Sequence, residues 1–206
     1  MSSRRLRARL RAPDVREVVQ LDHWLRFWIV THRLEALNSI MWIVSVAGRS
    51  GSVWLAIGLT LMLTRRVRLS GFLRLVLTIA LASLLANHLL RPLIDRDRPF
   101  VSTPDIPIIG GRPDDASFPS GHAANAFAGL YVLSRIAPAA RIAWWAMAVS
   151  IAYSRVYLGV HYPLDVVGGA MLGWVCGVLV DRASGRGPKD TNRIAAPPRH
   201  TARSSA

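Results

Sequence analysis

The sequence predicts an all-α protein, a polytopic membrane helical bundle of about five spans with an interfacial helix before them. Three observations predict it. Apolar residues make up 51% of the 206-residue chain, and they are gathered into long blocks of the kind that cross a bilayer. The links between those blocks are short and arginine-rich, as membrane loops on one side of a bilayer are. Gly- and Pro-containing stretches punctuate the blocks, notably Gly48-Arg49-Ser50-Gly51 and residues 91–118.

The elements follow in order. Residues 1–20 are arginine-rich and read as a basic disordered arm, attracted to anionic headgroups by about 1 kcal/mol per basic residue near the surface. No apolar stretch of adequate length follows them, so they do not read as a secretory signal. Residues 21–48 carry Arg26, His32, Arg33 and Glu35, too much charge for a span. Their Trp24, Phe27, Trp28 and Trp42 suit one or two amphipathic helices lying at the interface. Val53–Thr64 is a short span, and Arg65, Arg66 and Arg68 form the next link. Gly71–Leu90 is a stronger span, and residues 91–118 are a polar loop. Spans then run from His122 to Ala137, from Ile142 to Tyr153 and from Asp165 to Val180, with a turn at Pro138 between the first two. Gly169, Gly173 and Gly177 recur at four-residue spacing in the last span, which lets a neighbouring backbone approach closely. The chain thus divides into an arm (1–20), a membrane domain (21–181) and a disordered basic tail (182–206).

Charge narrows the partners. The net charge is +14, and all but one of the 26 basic residues are arginine. They lie at the termini, in the links and in three motifs, without the aromatic interleaving of a nucleic-acid platform, so no nucleic-acid partner is expected. The single Cys176 sits in an apolar block and forms no internal disulfide. The positive-inside rule puts the links at 65–74 and 135–141 and the tail in the cytoplasm. The three motifs then face the periplasm or exterior. The N-terminus disagrees: if Val53–Thr64 crosses once, the basic arm also lies outside.

The motifs sit at the edges of apolar blocks. In Ser154-Arg155-Val156-Tyr157-Leu158-Gly159-Val160-His161-Tyr162-Pro163-Leu164-Asp165, His161 and Asp165 are four residues apart and share a face if the backbone is helical. Pro163 suits the first turn of such a helix. A carboxylate there holds an imidazole in one tautomer and leaves its other nitrogen free as a nucleophile toward phosphorus. Read alone, the pair is as consistent with a histidine beside a solvated aspartate. Arg155 adds a planar fork that matches phosphate oxygens, or else snorkels to the headgroups. Pro119-Ser120-Gly121-His122 opens a helix with Ser120 as a candidate N-cap and free N–H groups for an anion. His122 is placed to act as a general acid. Arg91 and Arg98 frame a charged run in which Asp95 and Asp97 balance charge and Arg96 is exposed. No carboxylate cluster reads as a magnesium or zinc site, and no cofactor is expected.

Arg91-x6-Arg98-Pro99, Pro119-Ser120-Gly121-His122 and Ser154-Arg155-x5-His161-x3-Asp165 together resemble the type 2 phosphatidic acid phosphatase (PAP2) superfamily, which also holds class A acid phosphatases and vanadium haloperoxidases. The resemblance covers roughly residues 35–181. Arg91 stands where the family usually has lysine, so a point donor becomes a fork. The resemblance implies a PAP2/haloperoxidase-like core and a multi-pass enzyme of the cell membrane. It would cleave a phosphate monoester or pyrophosphate from a lipid without a metal. It implies that His161 forms a phosphohistidine, Asp165 orients it and His122 protonates the leaving oxygen. Arg91, Arg98, Ser120, Gly121 and Arg155 would hold the phosphate. Two alternatives stand beside this: a headgroup-binding membrane protein without catalysis, and a vanadate-dependent haloperoxidase-like enzyme. A pure binder needs the arginines but not His122, His161 and Asp165. The contacts that select the lipid are expected from residues 100–118 and 21–48.

Overall fold

The structure, a computed structural model, describes residues 14–185. It contains nine α-helices and no strand among those residues. They are α1 (Val15–Thr31), α2 (Glu35–Ala47), α3 (Ser52–Leu63), α4 (Leu69–Leu84), the short α5 (Arg91–Ile94) and α6 (Pro99–Ser102), α7 (Gly121–Ile136), α8 (Arg141–Tyr157) and α9 (Pro163–Ala183).

The first boundary differs from expectation. α1 begins at Val15, inside the arm assigned to residues 1–20. Asp14 and Glu17 close a capping box there, with Asp14 N donating to Glu17 Oε2 at 3.1 Å. Residues 1–13 of the arm and 186–206 of the tail lie outside the described residues. At the other end, α9 runs to Ala183, past the boundary set at 181.

α1 is amphipathic in an inverted sense. Its buried positions include Asp22 and Arg26, while Trp24, Phe27 and Trp28 are about half exposed. In water such a helix would turn over. It suits a helix whose outer face meets lipid and whose inner face meets polar loops.

α2, in the segment expected at the interface, is mostly exposed but is also tied to the bundle. It packs along α8: Tyr157 Oη donates to Leu34 O (2.8 Å) and Asn38 Oδ1 (2.9 Å), and Arg155 Nη1 reaches Ser45 Oγ. α3 has only 12 residues, or about 18 Å of rise, too short to cross alone. α2 and α3 together are long and apolar enough, as one span bent by 50°. Ser50 and Gly51 take left-handed backbone at the break (φ 53° and 75°), so the chain turns where residues 48–51 were read as a breaker.

α4 passes through a π-helical stretch, Leu85–Leu90, into α5. Together with α6 this forms one apolar 34-residue stretch, Leu69–Ser102. Among the described residues this stretch and α9 are the two long enough by themselves to cross a membrane. α7 and α8, at 16 and 17 residues, fall just short of the usual length.

The centre of the bundle is packed by small residues. Gly169 and Gly173 of α9 lie against the backbone of α7, so that a β-carbon would fall 2.3 Å from Ser120 O and 2.1 Å from Ala124 O. This is the close approach that the four-residue glycine spacing implied. Leu73, Leu77, Ile142 and Met171 point outward, while Trp54, Leu75, Leu130 and Leu133 are buried in the core. One end of the bundle is locked by Asp181, which pairs with Arg74 and Arg135 (both 3.2 Å) and accepts from Tyr131 Oη (3.2 Å). α4 and α8 run away from that end, α7 and α9 toward it, so their other ends, near 91, 121, 157 and 163, assemble the site.

Gly173→Val tests the packing. The facing atom is backbone and cannot swing away, so the variant should melt at least about 5 °C below wild type in detergent, by circular dichroism. Met171→Val, on the exposed face of the same helix, should be close to neutral.

Candidate active site

The site is built on Asp165. Tyr162 is the N-cap of α9, with Pro163 at N1, and Asp165 at N3 accepts from Tyr162 N at 2.8 Å. His161 therefore lies just before the helix rather than on it, so the pair meets through the cap and not along a helix face. Asp165 Oδ2 is 3.4 Å from His161 Nδ1 and accepts from Ser117 Oγ at 2.5 Å. Oδ1 accepts from Arg96 Nη1 at 2.7 Å, and the backbone oxygen accepts from Ser120 N at 2.9 Å. The carboxylate is fully buried, and these donors replace its water.

Arg96 corrects the expectation of an exposed residue. It is half-buried between two carboxylates, Asp165 and Asp22 (2.6 Å), and lies 4.1 Å over the Tyr162 ring. Asp22 is also buried, and its Oδ1 accepts from Leu164 N at 2.8 Å. α1 thus places a carboxylate on the N-terminus of α9, where the helix dipole favours negative charge.

A cavity of about 380 Å³ opens in front of His161. Arg91, Arg98, Arg155, Gly121, His122 and His161 line it. Of the eight residues named from the motifs, Asp165 and Ser120 stand behind this wall. Ser120 occupies the N-cap position of α7 but makes no side-chain cap bond, and its hydroxyl is buried without a partner. Arg98 Nη1 donates to Val160 O at 2.9 Å and lies 3.4 Å from His161 Nε2. The nitrogen of His161 turned away from Asp165 therefore faces the arginines.

Three further groups at the cavity lacked a motif. Asp115 pairs with both Arg91 and Arg98 (Oδ1 to Arg98 Nη2, 2.5 Å), whereas Asp95 and Asp97 form no ion pair among the described residues. Asn125, one turn past His122 on α7, and Arg49, at the α2–α3 break, also line it. The nearest signal in the sequence was adjacency: Asp115 and Ser117 immediately precede the Pro119–His122 motif.

Comparison with known proteins gives the family. A family model described as the PAP2 superfamily matches residues 71–186. The chain belongs to the PAP2 superfamily. An undecaprenyl-diphosphatase of Sulfolobus acidocaldarius is 33% identical over 150 residues, 70% of this chain and 69% of that one. A lipid A 4'-phosphatase of Bacteroides thetaiotaomicron is 37% identical over 61% of each chain. Among solved structures, a transmembrane PAP2 type phosphatidylglycerolphosphate phosphatase from Bacillus subtilis superposes with a TM-score of 0.66 and 29% identity, over 82% of this chain and 86% of that one. Aquifex aeolicus LpxE gives 0.67 and 28%, over 79% and 95%. This PAP2 protein is accordingly a phosphoric ester or pyrophosphate hydrolase with a helical membrane-phosphatase fold.

Charge in the loops follows from position. Burial pushes the His161 imidazole down to about 3, and Arg98 and Arg155 add to this against the opposing pull of Asp165. Burial alone would raise the Asp115 carboxyl, but Arg91 and Arg98 outweigh it and hold the group below its usual range. His161 is thus neutral in the folded protein at pH 7, and a neutral imidazole is the nucleophilic form.

A pH dependence of stability follows. In the unfolded chain His161 takes up a proton near pH 6.5, and in the folded protein only near 3. Its neutral burial costs nothing above about pH 6.5, and stability is lost as pH falls from there toward 3. The drop in melting temperature between pH 7.5 and 5 should be smaller in His161→Gln than in wild type. An equal drop in both would mean that His161 does not titrate differently on folding.

Proposed function

We propose that this protein is an integral-membrane lipid phosphatase acting through a phosphohistidine at the outward face of the membrane. One observation carries the reading: His161, tied to Asp165 through Nδ1, turns Nε2 toward a cavity lined by Arg91, Arg98 and Arg155 among its five arginines. Relatives named as lipid phosphatases and an undecaprenyl-diphosphatase support a phosphorylated lipid as substrate.

The chemistry follows from these positions. A terminal phosphoryl group enters with its oxygens toward Arg91, Arg98 and Arg155. Their fixed positive charge stabilises the transition state in a water-poor site, with no step that requires a metal. His161 Nε2 attacks phosphorus while the bond to the leaving oxygen breaks, and His122, which takes up a proton once the bound phosphate offsets the arginines around it, passes that proton to the leaving oxygen. Asp165 stabilises the positive charge that develops on the imidazole. Water then attacks the phosphohistidine, giving its proton to His122, and the P–N bond breaks to release phosphate. Among the described residues no three His, Cys, Asp or Glu side chains gather as metal ligands do.

The outward assignment rests on charge. Arg65, Arg66, Arg68, Arg135 and Arg141 lie at the Asp181 end of the bundle, opposite the site. The positive-inside rule makes that end cytoplasmic. With α2 and α3 as one bent span, five crossings result, and α1 lies on the same side as the site. A cysteine replacing exposed Asp105, in a Cys176→Ser background, should then react with a membrane-impermeant maleimide in intact spheroplasts. A cysteine replacing Arg66 should react only after permeabilisation, and the reverse pattern would put the chemistry in the cytoplasm.

The two histidines should separate by leaving group. His161→Ala removes the attacking atom and should abolish turnover of every substrate. His122→Ala removes only a proton donor, a loss of about 10²–10⁴-fold when the leaving alkoxide is basic. On p-nitrophenyl phosphate, whose leaving group departs as a stable anion, the loss should be far smaller. Equal impairment of His122→Ala on both substrates in kcat/KM would overturn the acid role. Substantial turnover by His161→Ala would overturn the nucleophile.

A further inference from the structure

Asp115 is the only carboxylate among the described residues lining the cavity. It sits on the arginines that a phosphate needs. Arg98 donates Nε to Asp115 O (2.7 Å), Nη1 to Val160 O (2.9 Å) and Nη2 to Asp115 Oδ1 (2.5 Å). Arg91 donates Nε to Pro119 O (3.2 Å) and Nη1 to Asp115 Oδ2. One carboxylate therefore bridges two guanidinium groups, as two phosphate oxygens would. For phosphate to gain bidentate contact with Arg98, the carboxylate has to give way.

It is built to do so. The arginine partners are about nine-tenths buried or more, but the Asp115 side chain is 48% exposed. Its backbone oxygen is anchored separately by Arg98 Nε, so the side chain can swing into solvent while the loop stays in place. Arg155 has no carboxylate partner among the described residues, and its Nε is buried without an acceptor. Part of the cage thus stands open to an incoming anion while Asp115 holds the rest.

We propose that Asp115 is a displaceable internal anion that selects doubly charged phosphate groups over singly charged ones. This rests on the reading of the arginine cage as the phosphate site. The exchange explains the selectivity. A phosphodiester brings one negative charge and two unesterified oxygens, the same as the carboxylate it would replace, and gains nothing electrostatically. A phosphate monoester, or the terminal phosphate of a diphosphate, brings close to two charges and three free oxygens. It fills the arginines Asp115 leaves and also reaches Arg155. A site open to a membrane meets anionic phosphodiester lipids in large excess over its substrate, and a cage without Asp115 would be occupied by them.

The test uses the full chain in detergent. Hydrolysis of dioctanoyl phosphatidate is measured with dioctanoyl phosphatidylglycerol, a phosphodiester with the same tails, as inhibitor. In Asp115→Asn the Ki for the phosphodiester should fall about 10-fold and the KM for phosphatidate by about 3-fold or less, so that discrimination shrinks. Asp115→Glu, which keeps a carboxylate, should retain most of the discrimination. An unchanged Ki in Asp115→Asn overturns the proposal. So does a fall in kcat with KM and Ki both unchanged, which would make Asp115 a residue that only positions the arginines. Should Asp115→Asn fail to fold, thermal shifts of the wild type decide. Inorganic phosphate at pH 8 should raise Tm, and dimethyl phosphate at equal ionic strength should not; equal shifts overturn the proposal. If the wild type releases phosphate from no lipid in a panel of phospholipids and polyprenyl diphosphates, the function proposed above fails, and the thermal shifts still report on the anion exchange.

Discussion

The buried carboxylate of Asp165 is the constraint from which the site is assembled. A charge with no solvent contact has to be met by fixed donors, and removing one donor leaves a cost of several kcal/mol. Here the donors come from distant parts of the chain: Arg96 from the segment before α6, Ser117 from the loop before α7, and Tyr162 N from the turn before α9. Satisfying one residue therefore brings the three motif segments together. The orientation of His161 is a consequence, because its Nδ1 side is turned to the same carboxylate. The arginine cage lies on the other side of the imidazole. The burial of Asp165 and the orientation of His161 are thus two results of one hydrogen-bond arrangement.

Around that polar point the bundle follows the logic of lipid as solvent. Apolar burial alone does little to hold helices together where their surroundings are also apolar, so close packing and polar locks take over. The α7–α9 contact is made through glycines against backbone. Asp181 gathers Arg74, Arg135 and Tyr131 at the end opposite the site. The charged inner face of α1 fits the same scheme. Asp22 does not solvate itself in water but neutralises Arg96 and meets the N-terminus of α9. α1 is therefore part of the support behind the catalytic pair, although the family match begins only at residue 71.

The residues gathered at the candidate site were legible because their spacing repeats a chemical requirement within short stretches. His161 and Asp165 are four residues apart, and Arg91, Arg98, His122 and Arg155 mark the ends of apolar blocks. What stayed hidden was pairing across the chain. Nothing local to Asp22 says that it meets a backbone amide 142 positions away. Arg96 reads as a solvated charge between two aspartates, yet its partners are Asp22 and Asp165. The bend between α2 and α3 was read as a boundary between a surface helix and a span. Its charge density argued against a crossing. Most of that charge lies before α2, where Arg33 reaches the carbonyls of Tyr157 (2.6 Å) and Pro107 (2.7 Å), and Arg49 faces the cavity.

The bend also gives the cavity unlike walls. The motif segments supply three arginines and two histidines. The rest of the lining comes mainly from α2, where Trp42, Ser45 and Val46 are followed at the break by Arg49 and Ser50, and from Ile109, Gly111 and Arg112 of the long loop. These are the two regions, 21–48 and 100–118, from which selecting contacts were expected. Trp42, Ser45, Val46 and Arg49 follow the i, i+3, i+4, i+7 spacing of one helix face, so α2 offers the cavity a single stripe. Left-handed backbone at Ser50 and Gly51 then turns the chain beside the cavity. The apolar part of that wall continues toward the exposed faces of Trp42 and Val46, while the cation of Arg49 stays at the level of the cage. A lipid with a charged head and an apolar chain has the same polarity along its length. The part of the lining that carries none of the family's motif residues is therefore the one whose polarity matches such a lipid beyond its phosphate.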